Sequence, residues 1–224
     1  MKTEIFEVNG YQATVLLPEN PNGKWVWKTE FFYAFDQAER ALFELGYTRV
    51  YYQISDKFGS PAAVRLMRAF HDELLKRYPF LQEKANLFGF SRGGLYAFNY
   101  ALYYPERVKK LYLDAPVLNL KSWPHNGSED QVLFFKEYNL NAQTFETFCD
   151  SPIDHLDEFS KIAPPVLLVA GGKDEVVPFE ENGKLLYEKL KNRAGKIELY
   201  LKENCGHHPH SLEDVAPVVE FMKK

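Results

Sequence analysis

Residues 89–93 read Gly-Phe-Ser-Arg-Gly, the pattern G-x-S-x-G. A serine hydroxyl is a weak nucleophile until a base takes its proton and a third group orients that base. Ser91 is therefore a candidate nucleophile only if the chain also supplies an imidazole and an acid. Three of the six histidines fall within residues 207–210, in Gly206-His207-His208-Pro209-His210. A carboxylate, Asp174, sits in the glycine-loosened stretch Gly171-Gly172-Lys173-Asp174-Glu175. From such a turn it can accept a hydrogen bond from His Nδ1–H, which fixes the tautomer and stabilises the imidazolium that forms.

His207 is the expected base because it directly follows Gly206, which gives the turn its reach. His208 is the alternate, and His210 is expected to bond backbone or line the loop wall. Asp114 is the runner-up acid and Asp154 a weaker third. Taken singly, each signal has a plainer reading. Ser91 could be an idle residue in a tight βα turn, and Asp174 a turn aspartate satisfying local N–H groups. A His-rich tract could also hold a metal, but beyond lone Cys205 the loop offers no clear carboxylate or thiolate pattern. Serine, imidazole and carboxylate suffice for the chemistry, so no metal or organic cofactor is expected. His71, His125 and His155 read as surface or structural histidines, although the last two could contact a substrate.

Each candidate follows an apolar run of strand length. Ala85 to Phe88 precedes the serine, and helical spacing over Arg92 to Tyr104 follows it, so the context is strand, sharp turn, helix. Val166 to Ala170 precedes Asp174, and Lys196 to Leu201 precedes the histidines. Upstream, Glu4 to Val8 and Gln12 to Leu17 flank Asn9-Gly10, a hairpin signal. Lys24 to Trp27 and Thr48 to Ile54 are further strands, and Lys28 to Phe35 is an irregular aromatic stretch. Helices are expected over Asp36 to Leu45, and from Ser60-Pro61 to Tyr78, with Ser as N-cap and Pro in the first turn. Val108 to Leu113 is a strand ending at Asp114. The rhythm then breaks from Pro116 to Ala163 into short helical pieces (Asp130 to Tyr138, Ala142 to Phe148, Ile153 to Phe159). It resumes with helices over Glu181 to Lys191 and Leu212 to Lys223. Alternating strands and helices predict a mostly parallel α/β sheet with helices on both faces. Sites in such sheets lie past the carboxyl ends of the strands.

The 224 residues suit one α/β domain, 1–224, with a modest insertion at about 116–163. Net charge is −4 with no basic block, so nucleic acid is not an expected partner. The N-terminus has no apolar leader and no run approaches the length of a membrane span, so a cytoplasmic protein without membrane contact is expected. Cys149 and Cys205 are expected to be reduced thiols. With 18 Phe, 14 Tyr and 3 Trp, the chain has aromatic side chains to spare for a core or a pocket wall.

The order Ser91, Asp174, His207, with the Gly-Phe-Ser-Arg-Gly elbow, the Gly-Gly-Lys-Asp-Glu-Val-Val-Pro loop and the Cys-Gly-His-His loop, resembles the α/β-hydrolases over nearly the full chain. Within that superfamily the chain is most similar to small esterases and to the catalytic domains of prolyl-oligopeptidase-like hydrolases. The resemblance implies a sheet of about eight strands with a helical cap inserted after the sixth. It also implies a serine hydrolase acting on a small carboxylic ester through an acyl-enzyme. An aminopeptidase-like or thioester hydrolase, or a non-catalytic binding protein on the same scaffold, are the alternatives. An oxyanion hole would use the backbone N–H of Arg92 and one near Thr29. Many relatives carry His-Gly after the third strand; this chain reads Trp27-Lys28-Thr29-Glu30-Phe31 instead. Glu30 could face the pocket and favour hydroxyl-rich or cationic substrates. Trp27 and Trp123 could form its aromatic wall, and either could equally be core.

Overall fold

The Asn9-Gly10 pair takes positive φ at both residues (50° and 80°), as a tight hairpin between right-twisted strands requires. It joins β1 (Lys2–Val8) to β2 (Tyr11–Leu17), paired antiparallel from Lys2↔Leu17 to Val8↔Tyr11. The computed structural model describes residues 1–224. After the hairpin come β3 (Trp25–Lys28), α1 (Gln37–Glu44), β4 (Thr48–Tyr52), α2 (Pro61–Arg77), β5 (Ala85–Phe90), α3 (Gly93–Tyr103) and β6 (Val108–Asp114). Then follow α4 (Glu129–Glu137), α5 (Ala142–Glu146), α6 (Leu156–Ile162), β7 (Val166–Gly171), α7 (Gly183–Leu190), β8 (Ile197–Lys202) and α8 (Ala216–Lys223).

The eight strands form one sheet in the order β1-β2-β4-β3-β5-β6-β7-β8. β2 pairs antiparallel with β4, and every pair from β4–β3 onward is parallel. This is the mostly parallel eight-stranded sheet of the α/β-hydrolase fold. Period-2 alternation sends successive side chains to opposite faces. Trp25, Trp27, Leu87, Leu111, Leu113 and Leu168 join Phe70, Leu74 and Phe98 of α2 and α3 in the larger core. Val26, Phe88, Phe90, Tyr112, Leu167 and Val169 join Leu42 of α1 and Val218 and Met222 of α8 in the smaller one. No helix is long and apolar enough to cross a membrane.

One helix starts well after the position that periodicity predicts, because a cap overrides it. The last helix begins at Ala216 rather than Leu212: Asp214 Oδ1 accepts the Ala216 N–H at 2.9 Å, and Pro217 follows in the first turn. The piece expected from Ile153 to Phe159 splits into a 3₁₀ turn at Pro152–His155 and α6. Asp154, weighed above as an acid, accepts the Ser151 N–H there at 2.8 Å and belongs to that turn.

His71 of α2 is fully buried, edge-on to Trp25 at 4.9 Å. Its Nε2 lies 2.9 Å from the Glu83 carbonyl, which can only accept, so Nδ1 accepts from the Tyr100 hydroxyl at 2.7 Å. Burial pushes its pKa down from 6.5 to about 4. The unfolded chain then binds one more proton than the folded one between those two values. The stability this neutral ring contributes is fully present above pH 6.5 and is lost as pH falls toward 4. The loss is on the order of 3 kcal/mol. Urea unfolding at pH 7 and pH 5 is expected to show lower stability at pH 5. His71→Gln should be less stable at pH 7 but show a shallower pH dependence; an unchanged slope would remove His71 as its source.

Candidate active site

β5 delivers Ser91 into a backbone conformation that side chains avoid, with φ at +49°. The strain is held by the neighbouring strand and loop. The Ser91 N–H donates to the Asp114 carbonyl at 2.9 Å, and the Ser91 carbonyl accepts from Gly94 and Val117, both at 2.9 Å. A sharp turn of this kind lifts the side chain clear of the sheet. Its tightness explains the flanking glycines. A Cβ on Gly89 would stand 2.8 Å from Ala97 Cβ, and one on Gly93 would stand 3.0 Å from Thr29 Oγ1.

The carboxylate comes from beyond β7. Asp174 Oδ1 accepts the N–H groups of Val176 (2.9 Å) and Val177 (2.8 Å), leaving Oδ2 to face His207 Nδ1 at 2.7 Å. Burial alone would raise its pKa. The hydrogen bonds from His207 and from the two backbone N–H groups outweigh that and hold the carboxyl below the usual range. An ionised carboxylate only accepts, so Nδ1 of His207 carries the proton and Nε2 presents a lone pair. That Nε2 lies 2.9 Å from Ser91 Oγ. The histidine loop can reach inward because Gly171 lets it pass: a Cβ there would stand 2.5 Å from the Cys205 carbonyl oxygen.

The structure therefore brings Ser91, His207 and Asp174 into one hydrogen-bonded line. Asp114 is elsewhere engaged. Its Oδ1 accepts from Nδ1 of His210 at 2.7 Å, and its Oδ2 from the Ser211 N–H (2.6 Å) and the Tyr112 hydroxyl (3.0 Å). His210 thus bonds a carboxylate, not backbone, although it does line the cavity beside the serine. His208 lines it too, exposed and stacked on Phe35 at 5.6 Å. Partial burial and the neighbouring His210 and His207 imidazoles hold its pKa below the ordinary value.

That cavity, of about 260 Å³, is walled by Phe31, Ala34, Phe35 and Phe90 as well as Ser91 and the three histidines. Neither tryptophan belongs to it. Trp27 is 1% exposed and points to the opposite face of the sheet, edge-on to Phe70 (5.0 Å) and Tyr100 (5.4 Å). Strand alternation puts Trp27 with α2 and α3, whereas Phe90 faces the other way. Trp123 is core beside Phe58. No cavity residue comes from 116–163. That stretch packs its own aromatic cluster of Phe134, Tyr138, Phe145 and Phe148 beside the sheet instead of roofing the serine. His125 and His155 line no part of the cavity; His155 pairs with Asp150.

Glu30 does not face the cavity either. It is 1% exposed, with Oε2 on Arg92 Nη2 at 2.9 Å and Oε1 accepting from Ser55 Oγ at 2.7 Å. Burial raises its pKa above the usual carboxylate value, though Arg92 and Ser55 pull it down. Thr29 is also committed, because its N–H donates to the Phe88 carbonyl at 3.0 Å. The parallel pairing of β3 with β5 runs on by one bond and consumes that donor. The backbone N–H groups of Arg92, Glu30 and Phe31 make no hydrogen bond within the protein. The Glu30 nitrogen would stand 3.4 Å from a Cβ on Gly93, so the loop after β3 closes directly on the elbow. The aromatic wall is thus Phe31, Phe35 and Phe90 rather than Trp27 and Trp123; the aromatic-rich stretch directly after the carboxyl end of β3 is the sequence signal for it.

The family profile described as alpha/beta hydrolase fold matches residues 52–148, a stretch that holds Ser91 and ends before Asp174 and His207. No curated protein matches the chain in sequence. Among solved structures, a puromycin-hydrolyzing peptidase from Mycobacterium tuberculosis is similar at TM-score 0.74 and 16% identity, over 99% of this chain and 38% of that one. An esterase from Pyrococcus furiosus is similar at TM-score 0.69 and 16% identity, over 99% of this chain and 92% of the esterase. An acylaminoacyl peptidase from Pyrococcus horikoshii is similar at TM-score 0.70 and 16% identity, over 99% of this chain and 39% of that one. The chain thus spans about two-fifths of the length of these peptidases. The chain thus adopts the alpha/beta hydrolase fold, and the matching profile covers fewer than half of its residues.

Proposed function

We propose that this protein is a serine hydrolase that cleaves small, uncharged carboxylic esters through an acyl-enzyme. The observation that carries the reading is the continuous line from Ser91 Oγ through His207 to Asp174, with spacings of 2.9 and 2.7 Å. In this reading Ser91 Oγ attacks the acyl carbonyl as His207 Nε2 takes its proton. Asp174 stabilises the imidazolium without accepting that proton. The oxyanion receives hydrogen bonds from the Arg92 N–H and from the free N–H groups of Glu30 or Phe31, in place of Thr29. His207 returns the proton to the leaving alkoxide. It then draws a proton from water as that water attacks the acyl-enzyme, releasing the acid and restoring the serine.

The cavity supports an ester of modest size. Its walls are apolar apart from the serine and imidazoles, and the nearest carboxylate toward β3, Glu30, is sealed against Arg92. No free charge stands there to hold an ionic substrate. Amide and thioester cleavage share the same chemistry, and two of the similar structures are peptidases. A panel of p-nitrophenyl esters, acyl-CoA thioesters and aminoacyl amides separates the three, and short neutral esters are expected to turn over fastest.

A fluorophosphonate probe is expected to label the wild type once and not to label Ser91→Ala. Persistent labelling of the alanine variant would remove Ser91 as nucleophile. Asp174→Asn should fold and lower kcat by roughly ten-thousandfold, since it offers His207 the wrong tautomer. Full activity in that variant would discard the assigned acid.

The pair of half-buried Arg92 and buried Glu30 ties the residue after the nucleophile to the loop after β3, which bear the proposed oxyanion donors. Glu30→Gln keeps the volume and removes the charge. It is expected to lower kcat, by up to about a hundredfold, for a misplacement near 1 Å, with KM little changed. A change confined to KM would instead place Glu30 in substrate binding.

A further inference from the structure

The catalytic reading uses one of two matching pairs. His207 and His210 each direct Nδ1 at a buried carboxylate, Asp174 and Asp114, at 2.7 Å. A carboxylate on Nδ1 holds the proton there and leaves Nε2 as a lone-pair donor, raising its basicity. This carboxylate–histidine arrangement is the one that orients imidazole toward a metal ion. Nε2 of His207 rests on Ser91 Oγ, and Nε2 of His210 has no protein partner. Between them stands His208, exposed and with neither ring nitrogen hydrogen-bonded within the protein. One ring nitrogen from each of the three lies within 4.8 Å of the others. All three rings line the same cavity.

We propose that His207, His208 and His210 form a reversible binding site for a divalent transition cation of the zinc type, and that occupancy switches the serine off. Three imidazoles and an open fourth position suit Zn²⁺, with Zn–N distances of about 2.0–2.1 Å. Tetrahedral coordination at those distances needs nitrogens roughly 3.3 Å apart, so the rings must close from their present spacing. His208, stacked on Phe35 but free of hydrogen bonds, is the ring able to swing in. Mg²⁺ and Ca²⁺ prefer oxygen ligands and are not expected there. The cation takes the lone pair of His207 Nε2 that otherwise receives the Ser91 proton, so metal and substrate turnover exclude each other. The inhibitory half of this inference rests on the hydrolase reading above; the binding half does not.

Isothermal titration of the full chain with Zn²⁺ in a non-chelating buffer tests the binding half. One equivalent is expected to bind the wild type, and Ser91→Ala is expected to bind it at least as tightly, since the serine is not a ligand. Mg²⁺ should give no heat. His208→Ala changes an exposed side chain and should weaken Zn²⁺ binding tenfold or more. Asp114→Asn, which loosens His210, should cost about ten- to hundredfold. Co²⁺ in place of Zn²⁺ should give the visible absorption of a tetrahedral site. Failure of the wild type to bind one equivalent at micromolar Zn²⁺, or wild-type affinity in His208→Ala, would overturn the site whether or not the protein hydrolyses esters. For the second half, Zn²⁺ should abolish ester turnover and fluorophosphonate labelling, EDTA should restore both, and His208→Ala should need at least tenfold more Zn²⁺. Stoichiometric binding with undiminished labelling would refute the switch while leaving the site standing.

Discussion

The parallel register of β5, β6 and β7 is the constraint on which the site depends. Phe90 pairs with Asp114, and Asp114 with Val169, so β5 and β6 end at one level and β7 runs two residues further. β8 pairs with β7 up to Gly171↔Lys202 and ends beside them. Ser91 follows β5 directly, Asp174 lies three residues past β7, and His207 five residues past β8. Parallel strands must all be entered from the same end, so every following loop emerges on the same rim. Side chains separated by up to 116 residues of chain can then sit within hydrogen-bond distance. A one-residue slip would turn each strand's core residues outward and separate the three loops.

The rim is stiffened by charge taken out of water. Beneath the cavity, Lys28 Nζ sits 2.6 Å from Glu39 Oε1, both side chains 1% exposed, and donates to the Ala34 carbonyl at 2.5 Å. Burial lowers the Lys28 pKa and raises that of Glu39, and each partner pulls the other back toward its ordinary value. Neither Glu39 oxygen has a well-angled hydrogen bond. Nearby, Arg49 meets Asp36 at 2.8 Å. Buried pairs of this kind add little net stability, but removing one partner leaves an uncompensated charge. Together they hold the turn at residues 31–36, in which Phe31 and Phe35 take φ of +55° and +50°. That turn is the aromatic wall of the cavity. Lys28 also lies over the Phe90 ring at 4.1 Å, tying the same cation to the cavity floor.

Much of the fold could be read in the chain, because its signals are local. The Asn-Gly hairpin, the Ser-Pro start of α2 and the apolar runs before each loop are set by backbone preference and by alternation between faces. The elbow is equally local: a serine between glycines at a strand-to-helix turn needs no distant partner to be recognised. The histidine and aspartate loops were visible as candidates for the same reason.

What the chain by itself determined, then, was which residues stand past the ends of parallel strands, and hence which chemistry the rim can hold. Tertiary structure alone decided the pairing of two carboxylates with two imidazoles, since Asp114 and Asp174 are alike in their local setting. Asp114, at the end of the central strand β6, meets Nδ1 of His210 and the Ser211 N–H from the loop after β8, and its own strand adds the Tyr112 hydroxyl. Packing likewise turned Trp27 and Trp123 into core, sealed Glu30 against Arg92, and spent the Thr29 N–H on the Phe88 carbonyl. Each of these outcomes depends on a partner distant in sequence. Side-chain type records what a residue can bond, and only the closed fold settles which bond is left for it to make.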